Sequence, residues 1–195
     1  MEVLQTIPRA EEFFGIIEDR LKPKTLRHVL GVTELILRVA PDLGVSLEDA
    51  AAAGLLHDLC KPLKRAAMIE TAEDYGIPIS ETQREKPALL HGPVAAETAK
   101  RELGVESDEV YEAIYYHTTG KPGLSIVGQA LYFADFSEPN RTYPGSAEAR
   151  ALLSAEGFVK ALLYAADAKL EVVQAKATVD PMTQAFNEWL HEEYE

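Results

Sequence analysis

Four of the chain's five histidines fall into a sparse series with two aspartates: His28, the doublet His57-Asp58, His91, His117 and then Asp135. Imidazoles and carboxylates gathered from several helices are the donor set of a dinuclear transition-metal centre. Such a centre makes a hydroxide nucleophile at neutral pH and clamps an anionic substrate. The His-Asp doublet alone carries little weight, because such pairs arise often by chance. The weight lies in the ensemble, with one histidine before the doublet, two after it and an aspartate later. The fifth histidine, His191, stands in the charged tail His191-Glu192-Glu193-Tyr194-Glu195 and reads as a solvated side chain. Cys60, the single cysteine, has no catalytic-triad context and reads as a buried thiol rather than a nucleophile.

The elements that must position these residues read as helices joined by short Gly/Pro punctuation. No stretch alternates apolar and polar residues long enough to suggest a strand. The expected fold is all-α, a single compact helical bundle. A first helix is expected over Ala10–Leu21. Pro23 suits the first turn of a second, reaching Val39 and carrying His28. Ser46-Leu47-Glu48-Asp49 is a capping-box-like start for a third helix through Leu59. Its run of alanines ending in Gly54 allows close helix approach, and Pro62 helps to stop it. A fourth helix covers Lys64–Tyr75. Pro87 to Gly92 reads as a loop carrying His91, with Pro93 opening the next helix, which ends near Leu103. Ser107 and Ser125 cap helices ending near His117 and Phe136. Helices near Ser146–Leu153, Glu156–Lys176 and from Asp180-Pro181 onward complete the chain.

Spacing separates the inward residues from the ambiguous one. His117 follows Val110, Ala113 and Ile114 on an apolar face. Asp135 follows Leu131 by four residues and Val127 by eight, so it also points inward. A buried unpaired carboxylate is costly. A metal removes that cost, and the alternative is an inward salt bridge to Lys or Arg. His28 alone would read as an ordinary core or part-exposed histidine.

Bulk properties bound the function. The 195 residues suit one domain, 1–195, with a motif-bearing core at about 21–142 and C-terminal helices at about 146–195. A chain of this length buries a core without a structural metal, so a metal would serve chemistry. The single cysteine excludes an intrachain disulfide and favours a cytoplasmic setting. No basic start followed by an apolar run marks a secretory signal, and no segment is long enough to span a membrane. The formal net charge of −13 argues against a nucleic-acid partner. A small phosphorylated substrate then requires positive charge concentrated in the site.

The order His28, His57-Asp58, Asp135 resembles the HD-domain superfamily of metal-dependent phosphohydrolases. The surrounding words LRHVLGV, GLLHDLCK, LLHGPVAAE, AIYYHTTGKPG and YFADFSEPNR resemble one branch of it, the YqeK family of symmetrical diadenosine tetraphosphatases. The resemblance runs from about Leu21 to Asn187, and HTTGKPG followed by ADFSEPNR is its most specific part. Phe136-Ser137 and Leu59-Cys60 depart from the family's usual pairs without touching a proposed ligand.

That resemblance implies a metal held by His28, His57, Asp58 and Asp135. A second is held by His91 and His117, with Asp58 bridging. It implies iron; the ligand chemistry itself also admits Mn, Co, Ni or Zn. It implies hydrolysis of diadenosine tetraphosphate to two ADP by a metal-bridging hydroxide, in the cytoplasm, and is compatible with a homodimer. Asp58 and Lys61 are the catalytic candidates. Lys61, three residues after Asp58, and Arg141 are candidate phosphate contacts, with Lys121 behind them. Thr118, Thr119 and Gly120 are candidate pocket residues. For each of these the alternative is a surface charge or a plain turn. Two competing functions remain open. One is an HD phosphohydrolase acting on a mono-, deoxy- or cyclic nucleotide, although no GYP motif marks a cyclic-dinucleotide enzyme. The other is a nucleotide- or metal-binding regulator without catalysis.

Overall fold

The computed structural model describes residues 2–175 and 179–194. Eleven α-helices and no strands occur among them. The order is α1 (Ala10–Arg20), α2 (Pro23–Val39), α3 (Leu47–Leu56), α4 (Arg65–Asp74), α5 (Glu81–Glu85), α6 (His91–Arg101), α7 (Asp108–Tyr116), α8 (Ile126–Ser137), α9 (Ser146–Glu156), α10 (Phe158–Gln174) and α11 (Pro181–Tyr194).

Two helices are buried on all sides, which is what an all-round apolar composition demands. In α3 every residue from Ala50 to Leu56 is buried. In α8 the same holds from Val127 to Ser137. The other helices pack around this pair. α2 packs on α3 and α8, α6 packs on α7, which in turn contacts α3 and α8, and α10 packs on α8, α9 and α11. Close approach of α2 and α3 depends on Gly54, where a Cβ would fall 2.9 Å from the Thr33 Cα. The expected caps form: the side chains of Ser46, Ser107 and Ser125 accept from the amides of Asp49, Val110 and Gly128.

Several boundaries differ from expectation for physical reasons. α3 ends at Leu56 rather than Leu59, because the chain tightens into a turn in which the Leu59 amide donates to the Leu56 carbonyl. Pro62 disfavours a helical Lys61, so the helix does not resume after that turn. His91 is not in a loop. A 3-10 turn, Pro87–Leu90, runs directly into α6, and His91 is its first residue. Proline is tolerated in a first helical turn, so Pro93 does not have to open the helix itself. The short α5 was not anticipated, although Ser80 and Gln83 form a reciprocal capping box. Gly157 (φ 90) separates α9 from α10. The expected end of the tenth helix at Lys176 lies outside the described residues.

Candidate metal centre

All six residues of the series meet at one point. His57 and Asp58 leave the end of buried α3, Asp135 comes from the last turns of buried α8, and His28 from α2. His91 stands at the start of α6 and His117 caps the end of α7. Burial is nearly complete: His57 and Asp58 are 0 % exposed and His117 1 %.

Each imidazole is oriented by a bond from Nδ1. His57 Nδ1 donates to the Gly54 carbonyl at 2.8 Å, and His117 Nδ1 to the Ile114 carbonyl at 2.8 Å. His91 Nδ1 donates to the Ala88 carbonyl, and His28 Nδ1 donates to Glu138 Oε1 at 3.2 Å. A carbonyl can only accept, so these bonds select the tautomer and leave every Nε2 as a lone pair facing the centre. The Nε2 atoms then sort around the two oxygens of Asp58. Oδ2 lies 3.7 Å from His28 and 3.6 Å from His57. Oδ1 lies 3.1 Å from His91 and 3.7 Å from His117. Asp135 Oδ1 adds to the first set, 3.1 Å from His28 Nε2 and 3.9 Å from His57 Nε2.

This arrangement sets acceptor against acceptor. His91 and His117 bring their Nε2 atoms to 2.9 Å of each other while both Nδ1 atoms are committed to carbonyls. His57 Nε2 and Asp58 Oδ1 are buried without a hydrogen-bond partner among the described residues. Each such group costs about 1–3 kcal/mol. Cations remove that cost, and the groupings His28-His57-Asp58 and Asp58-His91-His117 each place three donor atoms within 4.8 Å of one another. The donor set therefore fits a divalent cation, and its two groupings have Asp58 in common.

Electrostatics agree with neutral His57 and His117 and ionised Asp58 and Asp135. Burial lowers the His57 pKa to about 4, against the opposing pull of Asp58 and Asp135. Burial, with His91 and His57 beside it, pushes His117 down as well. Burial works against ionised Asp58, yet His57, His91 and Lys61 hold it well below the usual carboxylate range. Asp135 is held low in the same way by His28, Arg141 and Lys169.

The rim places the other sequence candidates. Lys61 Nζ lies 2.7 Å from Asp58 Oδ2, with 42 % of its side chain exposed. Arg141 donates through Nη2 to Asp135 Oδ1 at 2.6 Å and through Nε to the Asp135 carbonyl at 2.7 Å. Thr118 and Thr119 are half-buried in the turn after α7. Gly120 (φ +70) backs onto Phe186 of α11, where a Cβ would fall 2.0 Å from the ring, so its glycine answers a packing need. Lys121 pairs with Glu112 at 2.6 Å. Cys60 is buried 3.5 Å from Thr98 Oγ1, and burial pushes its thiol pKa up, as expected of an inert thiol. His191 is not simply solvated: its Nε2 lies 2.9 Å from Asp167 Oδ1, tying α11 to α10.

Two residues at the site escaped the sequence reading. Glu138 is 1 % exposed, accepts from His28, and is itself held by the Asn140 amide at 2.6 Å. Its signal was present in the quoted SEPNR segment, as an acid amid turn residues. Lys169 reaches the centre from α10, where it donates to the His117 carbonyl at 3.2 Å. Nothing local in the sequence marks it.

A family model described as HD domain matches residues 25–168. The chain belongs to the HD-domain family. It is a hydrolase of that family, and curated relatives place it in one branch. The protein named symmetrical bis(5'-nucleosyl)-tetraphosphatase from Bacillus subtilis is 32 % identical over 73 % of this chain and 76 % of its own length. The protein of the same name from Staphylococcus aureus is 30 % identical over 76 % of each. A crystal structure from Clostridium acetobutylicum, described as an HD superfamily hydrolase involved in NAD metabolism, superposes with a TM-score of 0.86 at 30 % identity. It covers 94 % of this chain and 97 % of its own. No helix among the described residues is long and apolar enough to cross a membrane.

Proposed function

We propose that the protein is a metal-dependent symmetrical bis(5'-nucleosyl)-tetraphosphatase of the cytoplasm, cutting diadenosine tetraphosphate into two ADP. The observation that carries the chemistry is the division of four Nε2 lone pairs between the two oxygens of one buried aspartate. The names of the curated relatives support the substrate.

In this reading His28, His57, Asp58 and Asp135 hold one cation, His91, His117 and Asp58 the other, and iron is the metal proposed. Bound divalent cations lower the pKa of water and neutralise charge on a phosphoryl group. The chain's own residues do the rest. Asp58 fixes the spacing of the two donor sets through its two oxygens. Glu138 and the carbonyls of Gly54, Ala88 and Ile114 hold the imidazoles in the ligating tautomer. Lys61 and Arg141 supply fixed positive charge at the rim, which a chain of net charge −13 must concentrate to receive a tetraphosphate. Cleavage at the centre of the substrate expels ADP, already a stable anion, so no strong general acid is required. None is apparent among these residues.

The test is a product analysis. Iron- or manganese-loaded protein incubated with diadenosine tetraphosphate is expected to yield ADP as the sole product on anion exchange. ATP plus AMP would reject symmetrical cleavage. Absence of turnover with two metals bound would turn the search to other nucleotides and to a regulatory role.

A further inference from the structure

Lys169 comes from α10, a helix that carries none of the six candidate ligands. Its ammonium donates to the His117 carbonyl and lies 3.9 Å from the centroid of the buried Tyr132 ring. Among the described residues no carboxylate oxygen lies within the 4.0 Å of an ion pair with it, unlike Lys61 at 2.7 Å and Lys121 at 2.6 Å. A carbonyl and a ring face only partly compensate a half-buried cation. The fold thus holds a costly, incompletely compensated positive charge beside the centre.

The surroundings indicate what compensates it. Lys169 lines a cleft of about 120 Å³ with Asp135, Phe136, Arg141, Tyr143 and Val172. Its cations, Lys169 and Arg141, adjoin Asp135, and the Arg141 guanidinium lies 5.3 Å from the centroid of the Tyr143 ring, which stacks on Phe136 at 6.4 Å. Larger clefts, such as that of about 380 Å³ beside Arg9 and Phe13, hold none of the candidate ligands. Two cations in a cleft of that size suit a phosphate group, with the Tyr143 ring beside them to receive what the phosphate carries.

We propose that Lys169 is a substrate-binding residue whose ammonium holds a phosphate of the nucleoside diphosphate half, that phosphate entering the cleft beside Asp135. This rests on the tetraphosphatase reading above. The competing role is structural: Lys169 would only cap the carbonyl of His117 at the end of α7. K169Q separates the two, because the amide still donates to that carbonyl but carries no charge.

The measurement is calorimetric titration of ADP into metal-loaded protein, with adenosine as the uncharged control and metal content determined alongside. K169Q is expected to bind ADP about tenfold more weakly or worse. Adenosine binding and metal content should stay unchanged, and K169R should restore most of the ADP affinity. ADP affinity within about twofold of wild type overturns the proposal. So does a parallel loss of metal, which would mark Lys169 as a support for His117. If K169Q does not fold, K169R, which keeps the charge, is compared with K169M, which keeps only the aliphatic stem over Tyr132: ADP affinity lost in K169M alone with metal content unchanged supports the proposal, and metal lost with it overturns it. Wild-type protein that neither binds ADP nor cuts diadenosine tetraphosphate overturns the parent reading. Wild type that does both, with K169Q equal to it, overturns the role of Lys169 alone.

Discussion

Two His–Asp contacts in this protein have nearly the same length and unlike consequences. His91 Nε2 lies 3.1 Å from Asp58 Oδ1, with the side chains 11 % and 0 % exposed. His191 Nε2 lies 2.9 Å from Asp167 Oδ1, with the side chains 32 % and 48 % exposed. At the second contact Asp167 also accepts from Asn187 Nδ2 at 2.8 Å, and water reaches what remains. Such a pair contributes about 0–1 kcal/mol. At the first, one carboxylate faces four imidazoles whose other nitrogens are committed, and Lys61 at Asp58 and Arg141 at His28 offset only part of the excess of lone pairs. Distance does not distinguish a site from a surface contact. Burial and the count of uncompensated acceptors do.

The largest effect is expected from Asp58→Ala, which removes both shared oxygens. It should abolish ADP release and most of the bound metal, read by anion exchange and elemental analysis. Activity surviving with two metals bound would overturn the ligand assignment. Glu138→Gln weakens the support of His28 without replacing a ligand. Metal affinity or turnover should fall about 10- to 100-fold, in line with other partners of ligating histidines. Gly31→Ala should act in the same direction, since a Cβ there would fall 2.3 Å from Glu138 Oε2. Equal metal affinity in both variants would remove Glu138 from the site.

The pH dependence of metal-free protein gives a third, smaller effect. His57 takes up a proton at about pH 4 in the fold and near 6.5 in the unfolded chain. Between those values the unfolded chain binds more protons, so stability is present above pH 6.5 and is lost as pH falls toward 4. His117 is displaced in the same direction and adds to the slope. Asp58 and Asp135, held low in the fold, extend the loss at still lower pH. Thermal melting of chelator-treated protein should show Tm falling from pH 7 to pH 4.5, and a flat profile would mean that the imidazoles are not buried neutral. The smallest effect is expected from His191→Ala, with stability lowered by no more than about 1 kcal/mol and metal content unchanged. Metal loss in that variant would erase the distinction between the two contacts.

Residue type, order and helical spacing already contain the all-α architecture and the six residues of the centre. The reason is that apolar periodicity decides which face of a helix is buried. Val110, Ala113 and Ile114 carry His117 inward, and Val127 and Leu131 carry Asp135, whatever the helices pack against. Local rules failed where neighbours decide. The start of α6 at His91 and the end of α3 at Leu56 follow from turns on either side of the helices, and local propensity does not weigh those. The division of Asp58 between two histidine pairs, the grip of Glu138 on His28, and the arrival of Lys169 from α10 are separated by up to 110 positions along the chain. Only packing of α2, α8 and α10 against one another brings them together. The chemistry of the donors is a property of single residues and is legible in order. The direction of each lone pair depends on what lies behind the ring, and that exists only once the chain is folded.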